Sequence, residues 1–243
     1  MSENIDEWEK IWNKKIANEE LLHKDFETVF MELKRLTGND TTGKGVEFQG
    51  FMKQYADIKT NISNDGKKKI KSVFEVGCGS GPFLLAFQRD GYKIGGVDYS
   101  KSLIDVAKKI LINPVELYCG EANNLKEDII YDCVMSNSVF EYFKSDEYAV
   151  DVLEKMMDKA RYSIAVLDVH DNEKKEQYLQ YRRSIIQDYD KKYKNLEKKF
   201  FEKKFFEKFA RDNFLTIKIQ NTNIEGYWNN QFTYDVYMYK EEA

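Results

Sequence analysis

From residue 72 onward, short apolar runs that favour strands alternate with segments of helical spacing, and this alternation most constrains the fold. The predicted strands are 72–76, 93–98, 115–119, 131–136 and 163–169. The predicted helices between them are 82–90, 102–110 and 146–159. Such alternation with short turns predicts an α/β fold, in which a parallel sheet carries helices on both faces.

The last part of the chain departs from this alternation. Two further strands are predicted at 215–220 and 232–240, and the loop between them is too short for a crossover helix. These strands should therefore pair antiparallel at one edge of the sheet. The sequence thus predicts a seven-stranded mixed sheet.

Two segments lie outside the alternating pattern. Helical spacing over 5–36 and 51–58 predicts an N-terminal helical cap, residues 1–70, ahead of a main domain at 71–243. A charged helical insertion follows the fifth strand at 171–193, and its Lys-rich continuation at 191–208 contains four Phe residues and is followed directly by a fifth, Phe209. We interpret the stretch 191–208 as a helix that packs its Phe face on the sheet. The whole insertion, residues 171–212, is a candidate substrate lid.

Charge and cysteine content narrow the classes of partner. Lys and Arg number 38 against 42 Asp and Glu, and this even mixture is typical of a solvated surface rather than of a nucleic-acid interface. Three Cys without a C-x-x-C pair, and two His, offer no zinc pattern, so we expect no metal and a reducing compartment. Without a secretory pattern or a long apolar run, a cytoplasmic protein with no membrane partner is expected.

One turn carries the chemistry. The stretch 73–81 reads Val-Phe-Glu-Val-Gly-Cys-Gly-Ser-Gly, so a strand runs into three alternate glycines and then a helix. Glycines allow positive φ and close approach of a ligand, and helix N-termini attract negative charge. Asp98 ends the next strand, where a carboxylate can accept hydrogen bonds from both hydroxyls of a ribose. An adenosine-containing cofactor is predicted, but Pro82 breaks the dinucleotide pattern G-x-G-x-x-G.

The pattern at 75–81, Glu-x-Gly-x-Gly-x-Gly, resembles motif I of the class I S-adenosylmethionine-dependent methyltransferases. The segment 96–100 (Gly-Val-Asp-Tyr-Ser) resembles the second motif of this family. Residues 120–122 (Gly-Glu-Ala) stand where the family commonly has Gly-Asp-Ala, and 131–139 is similar to its fourth-strand motif. The resemblance covers about 71–240.

This resemblance implies a Rossmann-like fold, binding of S-adenosylmethionine and release of S-adenosylhomocysteine. In the family, the acids at positions 75, 98 and 121 serve the methionine amino group, the ribose and the adenine amino group. The resemblance also implies a wider set of cofactor-binding residues: Glu75, Gly77, Cys78, Gly79, Gly81, Asp98, Tyr99, Glu121, Ala122, Ser136 and Asn137.

Three residues are candidates for catalysis. His170 follows the fifth strand, at the sheet edge where such folds bind ligands, and its ordinary pKa suits removal of a hydroxyl proton. The alternative is a histidine that is merely hydrogen-bonded at the start of a loop. Glu141 and Tyr142 follow the fourth strand, and the resemblance places them near the transferred methyl group.

The acceptor is the least constrained feature. After the fourth strand the chain reads Ser-Asn-Ser-Val at 136–139, not the Asn/Asp-Pro-Pro-Tyr of many nucleic-acid methyltransferases. We expect a small-molecule acceptor, first an O-methylated sugar, nucleotide-linked or surface-glycan precursor. A tRNA or protein methyltransferase and a non-catalytic S-adenosylmethionine binder stay open, as do O- against N-methylation, the need for a general base and the oligomeric state.

Overall fold

The computed structural model describes residues 24–39, 45–126, 128–194 and 196–241. These residues contain a seven-stranded sheet of order β3-β2-β1-β4-β5-β7-β6. The strands are β1 (Ser72–Val76), β2 (Lys93–Asp98), β3 (Glu116–Cys119), β4 (Tyr131–Asn137), β5 (Ala160–His170), β6 (Leu215–Asn221) and β7 (Thr233–Lys240). The first five are parallel, and β7 runs antiparallel to both β5 and β6. The predicted fold class is confirmed, including the reversed strand near the end of the chain.

The α-helices among the described residues flank this sheet. They are α1 (Phe26–Leu36), α2 (Phe48–Ile62), α3 (Pro82–Arg89), α4 (Lys101–Ile110), α5 (Asp146–Lys159), α6 (Lys175–Ile185), α7 (Tyr189–Lys192) and α8 (Lys203–Asp212). Local chemistry sets several starts: Ser100 and Ser145 cap α4 and α5 with their hydroxyls, and Pro82 opens α3. None of these helices is long and apolar enough to cross a bilayer.

Successive side chains of a strand point to opposite faces of the sheet, so two cores form. The first core combines strand residues with Phe30, Phe51, Phe83 and Ile104, one from each of α1 to α4. The second core contains residues of α5 and α8. The predicted N-terminal helices are thus present as α1 and α2, and both share a core with the sheet. The part of the first predicted helix before residue 24 lies outside the described residues.

The segment after β5 is less helical than predicted. A 3₁₀ turn, α6 and the short α7 occupy the insertion, and α8 begins at Lys203 rather than near 191. Phe206 and Phe209 of α8 are buried against the sheet, as the pattern indicates. Phe201 instead precedes the helix, because its amide donates a hydrogen bond of 2.9 Å to the carbonyl oxygen of His170. Pairing with the end of β5 therefore replaces the first helical turns.

Strand β5 carries an irregularity at its carboxyl end. Its register with β7 shifts between Val166 and Val169, and Asp168 has a φ of +57°. The amide of Asp168 donates to Oδ1 of Asp235 on β7 at 2.9 Å. Bulges of this kind re-aim a side chain, and here the Asp168 carboxylate meets Ser138 beyond the end of β4. His170 is consequently the last residue of the strand rather than the first residue after it.

Candidate active site

An open cleft lies at the carboxyl ends of the central strands. The strand order reverses between β1 and β4, and open α/β sheets bind ligands at such a point. Residues after β1, β2, β3 and β4 form most of its wall, and Lys34 and Thr37 of α1 complete it. The fold therefore brings the separate sequence motifs to one place.

The glycine turn after β1 has the backbone conformation that the sequence predicts. Gly77, Gly79 and Gly81 have φ values of +72°, +54° and +81°. A Cβ atom on Gly77 would come within 2.3 Å of a methyl carbon of Val139. Larger residues are thus excluded there by conformation and by the close approach of the chain after β4.

Asp98 at the end of β2 holds this turn in place. Its Oδ2 accepts from the amide of Gly79 at 2.8 Å, and its Oδ1 accepts from the amide of Ser100 at 2.8 Å. Burial raises the pKa of Asp98 to about 6, and both hydrogen bonds oppose that rise. Each carboxylate oxygen has a second lone pair, so Asp98 can organise the turn and also accept from a ligand hydroxyl.

Two oppositely charged residues line the cleft from different elements. Glu75 of β1 is 3% exposed, and its Oε2 has no hydrogen-bond partner among the described residues. Burial raises the pKa of Glu75 to about 8. Lys34 of α1 directs its Nζ over the ring of Phe51, 4.3 Å from the centroid, and burial lowers the pKa of Lys34 to about 8. Sequence reasoning missed Lys34. Its spacing of four residues from the apolar Phe30 puts both side chains on one face of the helix, and this was the available sign that Lys34 faces the sheet.

The structure brings most of the predicted site residues into the cleft wall. Those in the wall are Glu75, Gly77, Cys78, Gly79, Asp98, Tyr99, Glu121, Ala122, Asn137 and Tyr142. Gly81 instead starts α3, and Ser136 is buried within β4 between its neighbours on β1 and β5. Glu141 and His170 are buried outside the set of residues that line the cleft.

A line of hydrogen bonds leads from the cleft wall to His170, and we call it the polar chain. The hydroxyls of Ser138 and Tyr227 both donate to Oδ2 of Asp168 at 2.7 Å. Asn229 Nδ2 lies 3.4 Å from the Tyr227 hydroxyl and 3.0 Å from Nε2 of His170. Asp168 is therefore one hydrogen bond away from a residue of the cleft, whereas His170 is at the far end of the chain.

His170 differs electrostatically from the histidine that the sequence suggested. Its ring is 1% exposed and stacks on Phe200, with the centroids 5.1 Å apart. Burial, with the positive charges of Lys198 and Arg182, holds the pKa of His170 well below its ordinary value. A titration between pH 6 and 7, expected from an unperturbed imidazole, is therefore not expected here. Its role as a base stays a prediction.

Glu141 lies beside a lysine that covers it. Nζ of Lys198 is 3.3 Å from Oε1 of Glu141, and the amide of Lys199 donates to the Glu141 carbonyl at 2.8 Å. Burial raises the pKa of Glu141 to about 7, against the opposing effect of Lys198. Its Oε2 and the Oδ1 of Asp168 are buried without a partner among the described residues. Two carboxylates thus present unfilled acceptor positions next to the cleft.

Sequence reasoning missed Asp168, Tyr227 and Asn229. For Asp168 a signal existed, because the carboxylate stands within the apolar run Ala-Val-Leu-Asp-Val at 165–169. A buried carboxylate is costly unless a function or a partner compensates it. For Tyr227 and Asn229, the loop between β6 and β7 gives no comparable pattern.

Comparison with known proteins agrees with this geometry. Residues 73–162 match the family model described as a methyltransferase domain. A malonyl-[acyl-carrier protein] O-methyltransferase of Priestia megaterium is 29% identical over 117 residues, which are 44% of this chain and 43% of that protein. The chain thus matches less than half the length of this curated relative.

Solved structures share the fold over nearly the whole chain. The plantazolicin methyltransferase BpumL, crystallised with a triazolic desmethylPZN analog and S-adenosylhomocysteine, superposes with a TM-score of 0.62 at 15% identity, covering 100% of both chains. Magnesium protoporphyrin IX methyltransferase of Synechocystis PCC 6803, with bound S-adenosylhomocysteine, gives 0.59 at 14% identity, covering 98% of this chain and 94% of that one.

The sheet order, the glycine turn and the carboxylate after β2 define a Rossmann-like protein with a nucleoside-type cleft at its switch point. Residues 73–162 match a methyltransferase domain, and this segment contains the four motifs that resemble those of the class I S-adenosylmethionine-dependent methyltransferases. The family predicted from the four sequence motifs is confirmed.

Proposed function

We propose that the cleft binds S-adenosylmethionine and that the chain transfers its methyl group to a hydroxyl of a small-molecule acceptor. The observation that carries this proposal is the presence of two buried carboxylates, Glu75 and Asp98, beside the glycine turn in one cleft. Within this class, a sugar, nucleotide-linked or surface-glycan precursor is our first choice of acceptor.

The residues of the cleft fit the chemical groups of this cofactor. Asp98 has lone pairs for the ribose hydroxyls, and the unpartnered Oε2 of Glu75 suits the methionine ammonium. Glu121 lines the cleft after β3 and accepts from the hydroxyl of Tyr148 at 3.1 Å, so its carboxylate is oriented near the position expected for adenine. When bound, S-adenosylmethionine supplies an electrophilic methyl group on a positively charged sulfur.

The unfilled polar atoms near the cleft favour an acceptor that donates hydrogen bonds. Oxygen atoms of Asn137, Glu141, Asp168 and Asn229 are buried without partners among the described residues. A hydroxylated molecule would satisfy them, because each hydroxyl carries a donor. A carboxylate acceptor would instead face Glu141 and Asp168, where Lys198 is already paired with Glu141. The curated relative is named for methyl transfer to oxygen on a malonyl group, whose free oxygens belong to a carboxylate; its name therefore supports methylation of oxygen, and the choice of a hydroxyl rests on the polar atoms alone.

Asp168 is the proton acceptor that the geometry favours. In the transfer, the hydroxyl oxygen bonds to the methyl carbon as the carbon–sulfur bond breaks, and the hydroxyl proton must leave. The Asp168 carboxylate is buried, is one hydrogen bond from Ser138 of the cleft, and is oriented by Ser138 and Tyr227. For His170 to take this proton, the acceptor hydroxyl would have to reach past Tyr227 and Asn229, so we assign the proton to Asp168.

The insertion at 171–212 keeps its proposed role as a cover for the acceptor. Lys198 and Lys199 both contact Glu141, and Phe200 stacks on His170. This part of the chain therefore packs against Glu141 and against the His170 end of the polar chain. Exclusion of water there would strengthen the electrostatic interactions of Asp168.

Calorimetry and a product assay test the proposal in two stages. S-adenosylhomocysteine should bind with measurable heat and NAD should not, since Pro82 replaces the glycine that dinucleotide sites require. The protein is then incubated with S-adenosylmethionine and matched panels of sugar-nucleotide, amine and carboxylate compounds, and methylated products are detected by mass spectrometry. Methylation confined to amines or carboxylates contradicts the hydroxyl assignment, and binding of NAD alone contradicts the cofactor.

A further inference from the structure

We propose that Lys34 of α1 binds the carboxylate of the cofactor's methionine end, so that α1 and β1 together recognise a zwitterionic amino acid. Glu75 takes the ammonium group and Lys34 the carboxylate. This inference rests on the proposed function, and it adds to the cofactor site a residue that lies outside all four sequence motifs and outside the family-matched residues.

No described carboxylate makes an ion pair with Lys34, although Glu75 and Asp168 attract its charge from a longer distance. Its Nζ lies 4.3 Å from the ring centroid of Phe51 and 4.9 Å from that of Phe83. Aromatic faces attract an ammonium group, but they supply no counter-charge. Among the described residues, neither an ion pair nor a hydrogen bond joins Lys34 to Glu75, although both line the cleft. Each of the two groups is therefore available to a ligand.

A buried lysine elsewhere in the chain shows what a purely structural role looks like. Lys159 is 1% exposed, and its Nζ lies 2.6 Å from Oε1 of Glu116. The same Nζ donates to the carbonyl oxygens of Lys126 and Ile129 at 2.5 and 3.1 Å. Half-buried Lys34 has no such set of partners among the described residues, so its ammonium group is open to a ligand in the cleft.

Lys34 and Glu75 together complement the carboxylate and the ammonium group of an amino acid, whereas a simple ion would complement one of them. Burial shifts the pKa of both groups to about 8, that of Glu75 upward and that of Lys34 downward, so each is driven towards its neutral form. A ligand that carries an ammonium and a carboxylate on one carbon would restore both charges at once. A lone anion or cation would satisfy one group and leave the other unpaired.

Helix α1 is held rigidly at this position. The hydroxyl of Ser80 in the glycine turn donates to the carbonyl oxygen of Leu33 at 2.9 Å, and both residues are fully buried. A Cβ on Gly79 would come within 2.6 Å of the methyl carbon of Thr37, so the turn and the helix end pack closely. Lys34 lies between these two contacts, which fixes its backbone beside the turn.

The test compares two ligands that differ by one carboxylate. Dissociation constants for S-adenosylhomocysteine and for its decarboxylated analogue are measured by calorimetry with the parent and with Lys34→Met, which keeps the apolar stem on the two Phe rings. Loss of a hydrogen bond to a charged group should weaken S-adenosylhomocysteine about 10- to 100-fold and the analogue less than about threefold. Lys34→Arg, which keeps the positive charge, should retain most of the affinity.

Arg35→Met is the matched control. Arg35 follows Lys34 on α1 and pairs with Glu32 on the exposed side of the helix, so the same change of charge there should affect neither ligand. Equal weakening of both ligands by Lys34→Met overturns the inference, because Lys34 would then only shape the cleft. Unchanged affinity overturns it as well. A parent protein that binds neither ligand rejects the proposed function itself, which separates the two failures.

Discussion

The hydroxyl of Ser80 donates a hydrogen bond of 2.9 Å to the carbonyl oxygen of Leu33. The first residue belongs to the glycine turn, and the second lies near the end of α1, well before the family-matched segment begins. Since both residues are fully buried, this bond makes α1 part of the cofactor cleft rather than an appendage to it.

Ser80→Ala should lower the free energy of unfolding by about 1 kcal/mol, the usual net contribution of one hydrogen bond. The loss stays at this level because the Leu33 carbonyl still accepts from the amide of Thr37 at 3.2 Å. Urea denaturation measures the change. Ser184→Ala is the control, because that exposed hydroxyl also donates to a helical carbonyl, the one of Tyr181. Equal stability of Ser80→Ala and the parent would contradict the coupling of α1 to the turn.

Replacement of Asp98 should affect both binding and stability. Asp98→Ala should weaken S-adenosylhomocysteine by about 1.5–3 kcal/mol, because the ribose hydroxyls lose a charged acceptor. The variant should also be less stable than the parent, since the amides of Gly79 and Ser100 lose their partner. Calorimetry and denaturation measure the two effects, and Asp98→Asn, which keeps one acceptor oxygen, should recover part of each. An unchanged dissociation constant in Asp98→Ala would exclude Asp98 as the ribose ligand.

Glu75 should make the ligand-free protein less stable as the pH rises. Its pKa is about 8 in the folded protein against an ordinary value of 4.5, so the folded state binds more protons between these limits. The free energy of unfolding then falls with pH in this window, by up to about 1.4 kcal/mol per pH unit. Glu75→Gln should lack this part of the slope. The pKa of Lys34 is lowered from 10.5 to about 8, so this residue changes the pH dependence of stability mainly above pH 8.

Denaturation of the parent and Glu75→Gln at pH 5.5 and 7.5 tests this expectation. The other buried acids are common to both proteins, so the difference between the two slopes reports Glu75 together with its effect on the neighbouring Asp98 and Lys34. Parallel slopes would show that Glu75 has an ordinary pKa in the folded protein.

Asp168→Asn should lower kcat by about 10²–10⁴-fold with the acceptor found in the product assay, since general-base assistance is of this size. The affinity for S-adenosylhomocysteine should stay close to that of the parent, because Asp168 is not among the residues that line the cleft. His170→Ala should have a smaller effect, and the rate of the parent should show no step between pH 6 and 7. If His170→Ala lowers kcat more than Asp168→Asn does, and the rate of the parent rises between pH 6 and 7, His170 is the base instead.

The cofactor half of the site was largely predictable from the sequence. Glycine turns and strand-ending acids such as Asp98 are local features, and the parallel sheet brings their ends together without further information. Lys34 was not predictable, because its place in the cleft depends on the contact between Ser80 and Leu33, which are far apart in the sequence.

The acceptor half depends even more on distant contacts. Asp168 meets Ser138 because β5 bulges against β7, and Asp235 of β7 fixes that bulge. His170 had a suitable chemistry in the sequence, but its burial beneath Phe200 comes from an extended segment that the helical pattern did not predict. Local sequence patterns therefore predict the cofactor site, whereas the acceptor site can be identified only from the tertiary structure.

The bulge at Asp168 also gives the two halves of the site different supports. The residues that line the cleft run from Lys34 to Tyr148, and some of them share one core with Tyr237 of β7. The Asp168 carboxylate depends in addition on Asp235 of β7 and on Tyr227 of the preceding loop. Substitutions in this loop can therefore change the base and the acceptor site while the glycine turn and the cofactor cleft stay as they are.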